Sequence, residues 1–173
     1  MPDAVPPMLD AALIASLSQI KLLSLDLDGT LTDGGLYYFE DGGEARKYHV
    51  QDGFGIVAVQ KAGIAVCLIT MSDTPAIARR AERLRIQHCH MGVHDKLPVL
   101  KAICAEMGIG LHQVAHMADD INDLTVLREV GLPVAVANAR PAVKQASRYV
   151  TQAKGGDGAV REICDYLLDY QKK

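Results

Sequence analysis

Residues 20–33, IKLLSLDLDGTLTD, carry an apolar run that stops at two carboxylates one residue apart, Asp26 and Asp28, followed by Gly29-Thr30 and a third acid, Asp33. A short, nearly uninterrupted apolar run is what a strand buried on both faces of a parallel sheet requires. In an open α/β sheet, ligands bind in the crevice beyond the carboxyl ends of the strands, so Asp26 and Asp28 stand where a substrate arrives. Side chains two apart on a strand point the same way, and the Gly-Thr turn lets the backbone bend around them. Two anions that close repel unless a cation lies between them, and hard carboxylate oxygens suit Mg²⁺. A strand running into a surface Asp-Gly turn would account for this stretch alone, so the rest of the chain has to decide.

The chain has 173 residues, 49% of them hydrophobic, which fills one core and is too short for two comfortable domains. Residues 1–173 are therefore read as one domain. The formal charge of −3, from 18 basic and 21 acidic residues, comes without a basic run, which argues against nucleic acid or membrane as partner and for a small molecule. Cys67, Cys89, Cys104 and Cys164 are widely spaced in or beside apolar segments, with no CxxC pair, and read as reduced core thiols. Neither a signal-peptide pattern nor an 18-residue apolar span is present, so a cytoplasmic protein is expected.

Outward from the opening strand, at about Ile20 to Leu27, a proline-rich lead-in over residues 1 to 7 and a short helix from Met8 to Leu17 come first. After it, aromatic Gly35–Glu40, the Asp41-Gly42 turn and Glu44–Val50 predict a β-hairpin projecting from the sheet, an insert over about 34–50. It holds Tyr37, Tyr38, Phe39 and Tyr48, and an isolated two-stranded ribbon of this kind needs cover, most simply a partner subunit. A helix capped by Asp52 runs to Ala62; strand Ile64–Ile69 ends at Thr70; a helix capped by Ser72 or Asp73 follows, with Pro75 in its first turn. Strand 87–91 leads to a loop holding Lys96, a helix from Pro98 to Met107, and strand Val114–Ala118 ending in Asp119-Asp120 with Asp123 just after. Strand 133–137, a helix near Pro141–Ala146, strand 149–151, the break at Gly155–Gly158 and the helix Ala159–Tyr170 complete the chain, with a tail taken from about 155. Alternating strands and helices predict an α/β, Rossmann-like three-layer sandwich around a mostly parallel sheet.

Four strand ends thus present Asp26/Asp28, Thr70, Lys96 and Asp119/Asp120/Asp123. The set suits phosphoryl transfer through a covalent intermediate, with Asp26 as nucleophile, Asp28 as general acid/base, and Thr70 and Lys96 on the phosphoryl oxygens. Asp26, Asp119 and the Asp28 carbonyl are the candidate Mg²⁺ ligands, supported by Asp120 and Asp123 through water or hydrogen bonds. A zinc site at His88, His90 and His94 is the weaker reading, because His94 lies beyond the strand the other two share. A receiver domain would place its acidic pair early, its acceptor Asp mid-chain and its Lys late, an order this chain does not follow.

The pattern DLDGTLTDG, a strand ending in Thr70, then Lys96, then ADDINDL resembles the haloacid dehalogenase superfamily over nearly the whole chain. A short hairpin where other members carry a cap domain, VQDGFGI and the tail GGDGAVREICDYLL are similar to the small tetrameric phosphatases acting on 3-deoxy-D-manno-octulosonate 8-phosphate. The resemblance implies Mg²⁺-dependent hydrolysis of that sugar-acid phosphate in lipopolysaccharide inner-core synthesis, a homotetramer assembled through its hairpins, and C-terminal tails reaching a neighbour's active site. A related group acts on nine-carbon keto-acid phosphates, and an inactive binding module is the third reading. The chain departs from the family at Met71-Ser72, where Gly-Arg or Gly-Glu is usual, and at Ala118, where Gly is usual. Candidate substrate contacts are Gly29 and Ser72, with Arg46, Lys47 or Lys154 replacing the missing guanidinium, so that Ser72→Arg would be expected to lower KM.

Overall fold

The computed structural model describes residues 9–171; the proline-rich lead-in and the first residue of the expected N-terminal helix lie outside them. In chain order the elements are α1 Ala11–Leu17, β1 Leu22–Leu25, β2 Tyr37–Tyr38, β3 Glu44–Ala45, α2 Val50–Lys61, β4 Ala65–Ile69, α3 Pro75–Arg83, β5 His88–His90, α4 Lys96–Met107, β6 Val114–Ala118, α5 Leu124–Leu127, β7 Leu132–Ala135, α6 Pro141–Ala146, β8 Tyr149–Val150 and α7 Ala159–Tyr170. Helix α1 starts later than periodicity alone suggests because Asp10 caps it, accepting from the Leu13 N–H at 2.6 Å.

Six strands form one sheet in the order β5-β4-β1-β6-β7-β8, with every pairing parallel. From β1 the chain moves out through β4 to β5, then returns to β6 on the other side of β1, so the topological switch lies at β1. On one face, Leu23 and Leu25 pack with Leu13, Ile56, Ile77 and Ile163 of α1, α2, α3 and α7. On the other, Leu22, Cys67 and Val114 pack with Leu100, Ile103 and Val126 of α4 and α5. Burial on both faces is the reason β1 reads as a continuous apolar run.

Strand β1 ends two residues before the expected Leu27. The Asp26 N–H makes its last ladder bond, to the Met117 carbonyl at 3.0 Å; the Leu27 carbonyl then accepts from the N–H groups of Thr30, Leu31 and Thr32. That tight loop, with Gly29 at φ +84°, lifts Asp26 and Asp28 above the sheet's edge.

The hairpin is present, but each strand is only two residues long, with Tyr37 opposite Ala45 and Tyr38 opposite Glu44, and a Thr32–Tyr48 bridge at its base. The Phe39 N–H donates to the Gly43 carbonyl, and Asp41 accepts from the Gly43 N–H at 2.9 Å to shape the turn. Leu36, Tyr37, Tyr38 and Phe39 are exposed.

Asp52 does not cap α2. That helix begins at Val50, and Asp52 is fully buried, accepting from the N–H groups of Gly158 at 3.4 Å and Arg161 at 2.8 Å. It closes the start of α7, whose N-cap is a glycine with no side chain to offer, and its negative charge suits that helix end. Similarly, Thr74 takes the N-cap position of α3, which frees Ser72 and Asp73 from that task.

The segment from Gly155 is no hinge. The Gly156 N–H donates to the Thr30 carbonyl at 3.1 Å, and a Cβ at Gly155 would collide with the Gly29 carbonyl, so only glycine allows this close packing on the loop that carries Asp26 and Asp28. Val160, Ile163, Cys164 and Leu167 of α7 are buried in their own chain's core. Freedom of this tail to close a neighbour's site is therefore not a property of residues 155–171. Losing the burial of Val160, Ile163 and Leu167, at ~1.5–3 kcal/mol each, removes about a third or more of a typical domain's ~5–15 kcal/mol. Deleting the chain from Gly155 is expected to leave an unfolded protein by circular dichroism, where a free tail would leave the thermal transition intact.

Candidate active site

The ends of β1, β4 and β6 and the start of α4 converge on one polar cavity of about 250 Å³, lined by Asp26, Asp28, Thr70, Met71, Ser72, Asp119, Asp120 and Asn122. Larger hollows elsewhere, such as the one of about 510 Å³ between α2 and α3, lack such a set of polar groups. Position at the switch point and chemistry outweigh size in locating the site.

Asp26 is 5% exposed, and Lys96 donates to its Oδ1 at 2.6 Å. Lys96 is not in a loop: it is the first residue of α4, 1% exposed, and also donates to Asp123 Oδ2 at 2.8 Å. Burial pushes the Lys96 ammonium down, but Asp26 and Asp123 outweigh it and hold the group above the ordinary lysine value. Two of its three donors are used, by Asp26 and Asp123. Asp123 is fully buried; burial raises its carboxyl, yet the hydrogen bond from His116 and the charge of Lys96 bring it below the ordinary value. Both of its oxygens are taken, by His116 and Lys96, so of its two expected roles the hydrogen-bonding one is present.

Burial first, then repulsion from Asp123, raises the Asp26 carboxyl despite Lys96. Burial and then the charges of Asp26, Asp120 and Asp123 push Asp119 up to about 7. A Cβ at Gly29 would collide with the Asp119 carboxylate, so glycine is what lets Asp119 settle over the loop that carries Asp26 and Asp28. Among the described residues no three His, Cys, Asp or Glu side chains converge as a metal cage. Mg²⁺ needs less, one or two carboxylates with water completing an octahedron, and the repulsion from Asp26 that helps raise Asp119 marks where a hard cation fits.

A carboxyl raised on folding adds stability at acid pH and loses it as pH rises through the folded value. With a chelator present, the thermal midpoint is therefore expected to fall as pH rises between the ordinary 3.8 and about 7 for Asp119, with Asp26 acting in the same direction. Asp123, shifted down, has its opposite effect only at pH values below its ordinary 3.8. Millimolar Mg²⁺ is expected to remove the fall; a flat profile in chelator, followed by scanning fluorimetry, would contradict the repulsion described here.

Asp28 is held from the hairpin side. Arg46 donates to it twice, Nε to Oδ1 at 2.7 Å and Nη2 to Oδ2 at 3.2 Å, and Ser72 Oγ donates to Oδ2 at 2.6 Å. Nη1 of Arg46 reaches Glu44 and, at 3.2 Å, Thr74. Burial works against the Arg46 charge, but Asp28 and Glu44 overcome it. Arg46 thus arrives from the same chain rather than from a neighbour and lies 3.2 Å from Ser72 Oγ, in the space where a longer residue at 72 would place its own cation. Lys47 is half exposed, its Nζ 3.7 Å from Asp33, and Lys154 is exposed on the loop beside Gly155; neither joins this group. Thr70 is buried, its Oγ1 accepting from the Ser72 N–H, and Asp120 is exposed, capping the turn through the Ile121 N–H.

Sequence reasoning missed His116 and Ser24, which lie beneath the carboxylates, and Asn122, which faces Met71 across the cavity mouth. A histidine amid VAHMA, two residues from a strand end that carries acids, was the available signal. His88 and His90 stack in parallel 6.4 Å apart on β5, away from the cavity.

A parallel sheet with a pair of acids on the loop after its central strand, a buried lysine, and acids after the next strand defines a haloacid dehalogenase-like hydrolase, and the model of that family matches residues 90–163. The 3-deoxy-D-manno-octulosonate 8-phosphate phosphatase of Escherichia coli strain K12 is 39% identical over 163 residues, spanning 94% of this chain and 87% of that protein. The crystal structure of the same phosphatase from Yersinia pestis superposes with a TM-score of 0.93 at 38% identity, covering 94% of this chain and 88% of that one. That from Moraxella catarrhalis, in complex with magnesium, phosphate and a KDO molecule, superposes with a TM-score of 0.90 at 37% identity, covering 92% of this chain and 91% of that one. The chain belongs to the 3-deoxy-D-manno-octulosonate 8-phosphate phosphatase family.

Proposed function

We propose that this protein hydrolyses 3-deoxy-D-manno-octulosonate 8-phosphate to the free sugar acid and phosphate, in lipopolysaccharide inner-core precursor synthesis. The observation that carries this reading is the Asp26–Lys96–Asp123 line beside Asp119 at the switch point, in a chain whose relatives carry that activity along most of their length. Bound between Asp26, Asp119 and the Asp28 carbonyl, Mg²⁺ would neutralise charge on the phosphoryl oxygens. An Asp26 carboxylate oxygen attacks phosphorus, the bond to the sugar oxygen breaks, and Asp28 gives that oxygen its proton. Water then attacks the aspartyl phosphate, Asp28 takes the water's proton, and the bond between phosphorus and Asp26 breaks. Lys96 and Thr70 donate to the equatorial oxygens throughout.

Arg46 is the cation that recognises the substrate's carboxylate, exchanging its hold on Asp28 for the incoming acid and so leaving Asp28 free to carry a proton. A charge-assisted contact of this kind is worth ~1.5–3 kcal/mol. Arg46→Ala is expected to reduce the preference for the sugar-acid phosphate over ribose 5-phosphate, as a ratio of kcat/KM values, by about ten- to a hundredfold. The ratio cancels any common effect on Asp28, and an unchanged ratio would rule Arg46 out. Ser72→Arg, by contrast, would set a second guanidinium against Arg46, so the improvement in KM suggested by the family pattern is now expected only together with Arg46→Ala.

The exposed aromatic hairpin supports a homotetramer assembled through this element. No helix among the described residues is long and apolar enough to cross a membrane, and the four unpaired cysteines suit the reducing cytoplasm. We read the whole chain as one hydrolase domain. Phosphate release measured side by side on the eight-carbon acid phosphate, a nine-carbon keto-acid phosphate and ribose 5-phosphate, with and without Mg²⁺, tests the proposal. The eight-carbon substrate should lead and need Mg²⁺; equal rates on all three would leave a generalist phosphatase, and no release would leave a binding module.

A further inference from the structure

On the face covered by α4 and α5, three polar side chains lie in one row across the centre of the sheet: Cys67 of β4, Ser24 of β1 and His116 of β6 are register partners. All three are fully buried, and their surroundings are apolar, with Leu22, Ile69, Leu100 and Val114 on the same face. A buried imidazole has to satisfy both ring nitrogens, and this one does: Nδ1 lies 2.9 Å from Ser24 Oγ and Nε2 lies 2.8 Å from Asp123 Oδ1. The Asp123 carboxylate can only accept, so Nε2–H donates to it, and in the neutral imidazole Nδ1 then accepts the Ser24 hydroxyl proton. The second oxygen of Asp123 accepts from Lys96, and Lys96 donates to Asp26.

We infer that His116 is a positioning residue for phosphoryl transfer: anchored by Ser24, it fixes the rotation of the Asp123 carboxylate, and Asp123 fixes the Lys96 ammonium against the nucleophile Asp26. The inference rests on the phosphatase function proposed above. Its physical basis is that the terminal torsion of an aspartate is broad and nearly free unless both oxygens are held. With His116 removed, one oxygen of a fully buried carboxylate has no partner, and the group turns to share Lys96 differently. Lys96 then leaves its place beside Asp26, and a misplacement of about 1 Å in such a site costs on the order of a hundredfold in rate. A histidine that merely fills the core would owe nothing to the nitrogen at Nε2; here that nitrogen is three hydrogen bonds from the nucleophile, through Asp123 and Lys96.

His116→Phe keeps a ring of similar breadth and removes both nitrogens. In the folded, Mg²⁺-loaded protein it is expected to lower kcat on the sugar-acid phosphate by about 10- to 100-fold, with KM changed by less than about twofold. His116→Gln, whose amide nitrogen reaches roughly as far as Nε2, is expected to recover most of the loss. Ser24→Ala, too small a change to endanger the fold, should lower kcat in the same sense by a smaller factor. Wild-type kcat in His116→Phe, or a loss that glutamine does not recover, overturns the inference. Should His116→Phe not fold, His116→Gln and Ser24→Ala decide: a tenfold loss with glutamine, or no change with Ser24→Ala, overturns it as well. A wild-type protein that releases no phosphate would instead overturn the function on which the inference rests.

Discussion

Asp26→Asn is expected to reduce phosphate release to background while the protein stays folded. The amide is nearly the shape of the carboxylate, so the Lys96 ammonium keeps an oxygen to donate to as well as its ion pair with Asp123. What is lost is the attacking oxyanion and one of two carboxylates offered to the metal, and without a covalent route the remaining groups can only bind the ester. The fold should not suffer, because burial and Asp123 already disfavour the charged form of Asp26. Removing one anion from a cluster that also holds Asp119 and Asp123 relieves repulsion. In chelator, the thermal midpoint of Asp26→Asn is expected to match or exceed that of the wild type. Substantial turnover in the folded variant would remove Asp26 from the role of nucleophile.

Lys96→Met has the second largest expected effect, and it reaches stability as well as rate. Methionine matches the stem but takes the shared ammonium away from two carboxylates, Asp26 and Asp123, that are 5% and 0% exposed. Breaking a buried pair by removing one partner costs about 3–5 kcal/mol, a large share of a typical domain's stability. The loss should depend on pH with a definite sign. Without the ammonium both carboxyls titrate higher than in the wild type, so the variant's deficit is small in acid and grows as pH rises through their folded values. Unfolding midpoints of Lys96→Met should therefore approach those of the wild type at acid pH and separate from them towards neutrality, with Mg²⁺ closing part of the gap. A gap independent of pH would mean that Lys96 acts by packing alone.

Much of this was legible in the sequence because chemistry at the strand ends is written locally. The run LLSL followed by DLDG, and VAHMA followed by DD, each join a buried strand to its acids, and parallel topology sets the two strands side by side with their acids at the same end of the sheet. Helices α6 and α7 kept their expected limits, since Pro141 and Gly158 punctuate them. Less legible were contacts that join distant positions. Asp52 has every feature of a local cap, and only the packing of α7 shows its carboxylate serving the far helix. The glycines at 155 and 156 look like a hinge in one dimension and are required in three by the approach of the Gly29–Thr30 backbone. Arg46 was one of three candidate cations of equal standing until the hairpin's turn placed it on Asp28 and Ser72. His116 was hidden because a single histidine in an apolar strand carries no pattern; its meaning comes from Ser24 and Asp123, at 92 and 7 residues' separation.

The covalent route through Asp26 is most directly tested by trapping its intermediate. Asp28→Asn retains the nucleophile, the backbone carbonyl offered to the metal, and Lys96, but it cannot activate water for the second step. An aryl phosphate, whose leaving group needs no proton, should still phosphorylate it. Acid-quenched after mixing with Mg²⁺ and the aryl ester, Asp28→Asn is expected to show by mass spectrometry one added phosphoryl group on the peptide that contains Asp26. Its absence in Asp26→Asn/Asp28→Asn assigns the acceptor. Steady aryl ester turnover by Asp28→Asn with no phosphorylated peptide at any time, or a phosphoryl group carried on a peptide without Asp26, would contradict the mechanism.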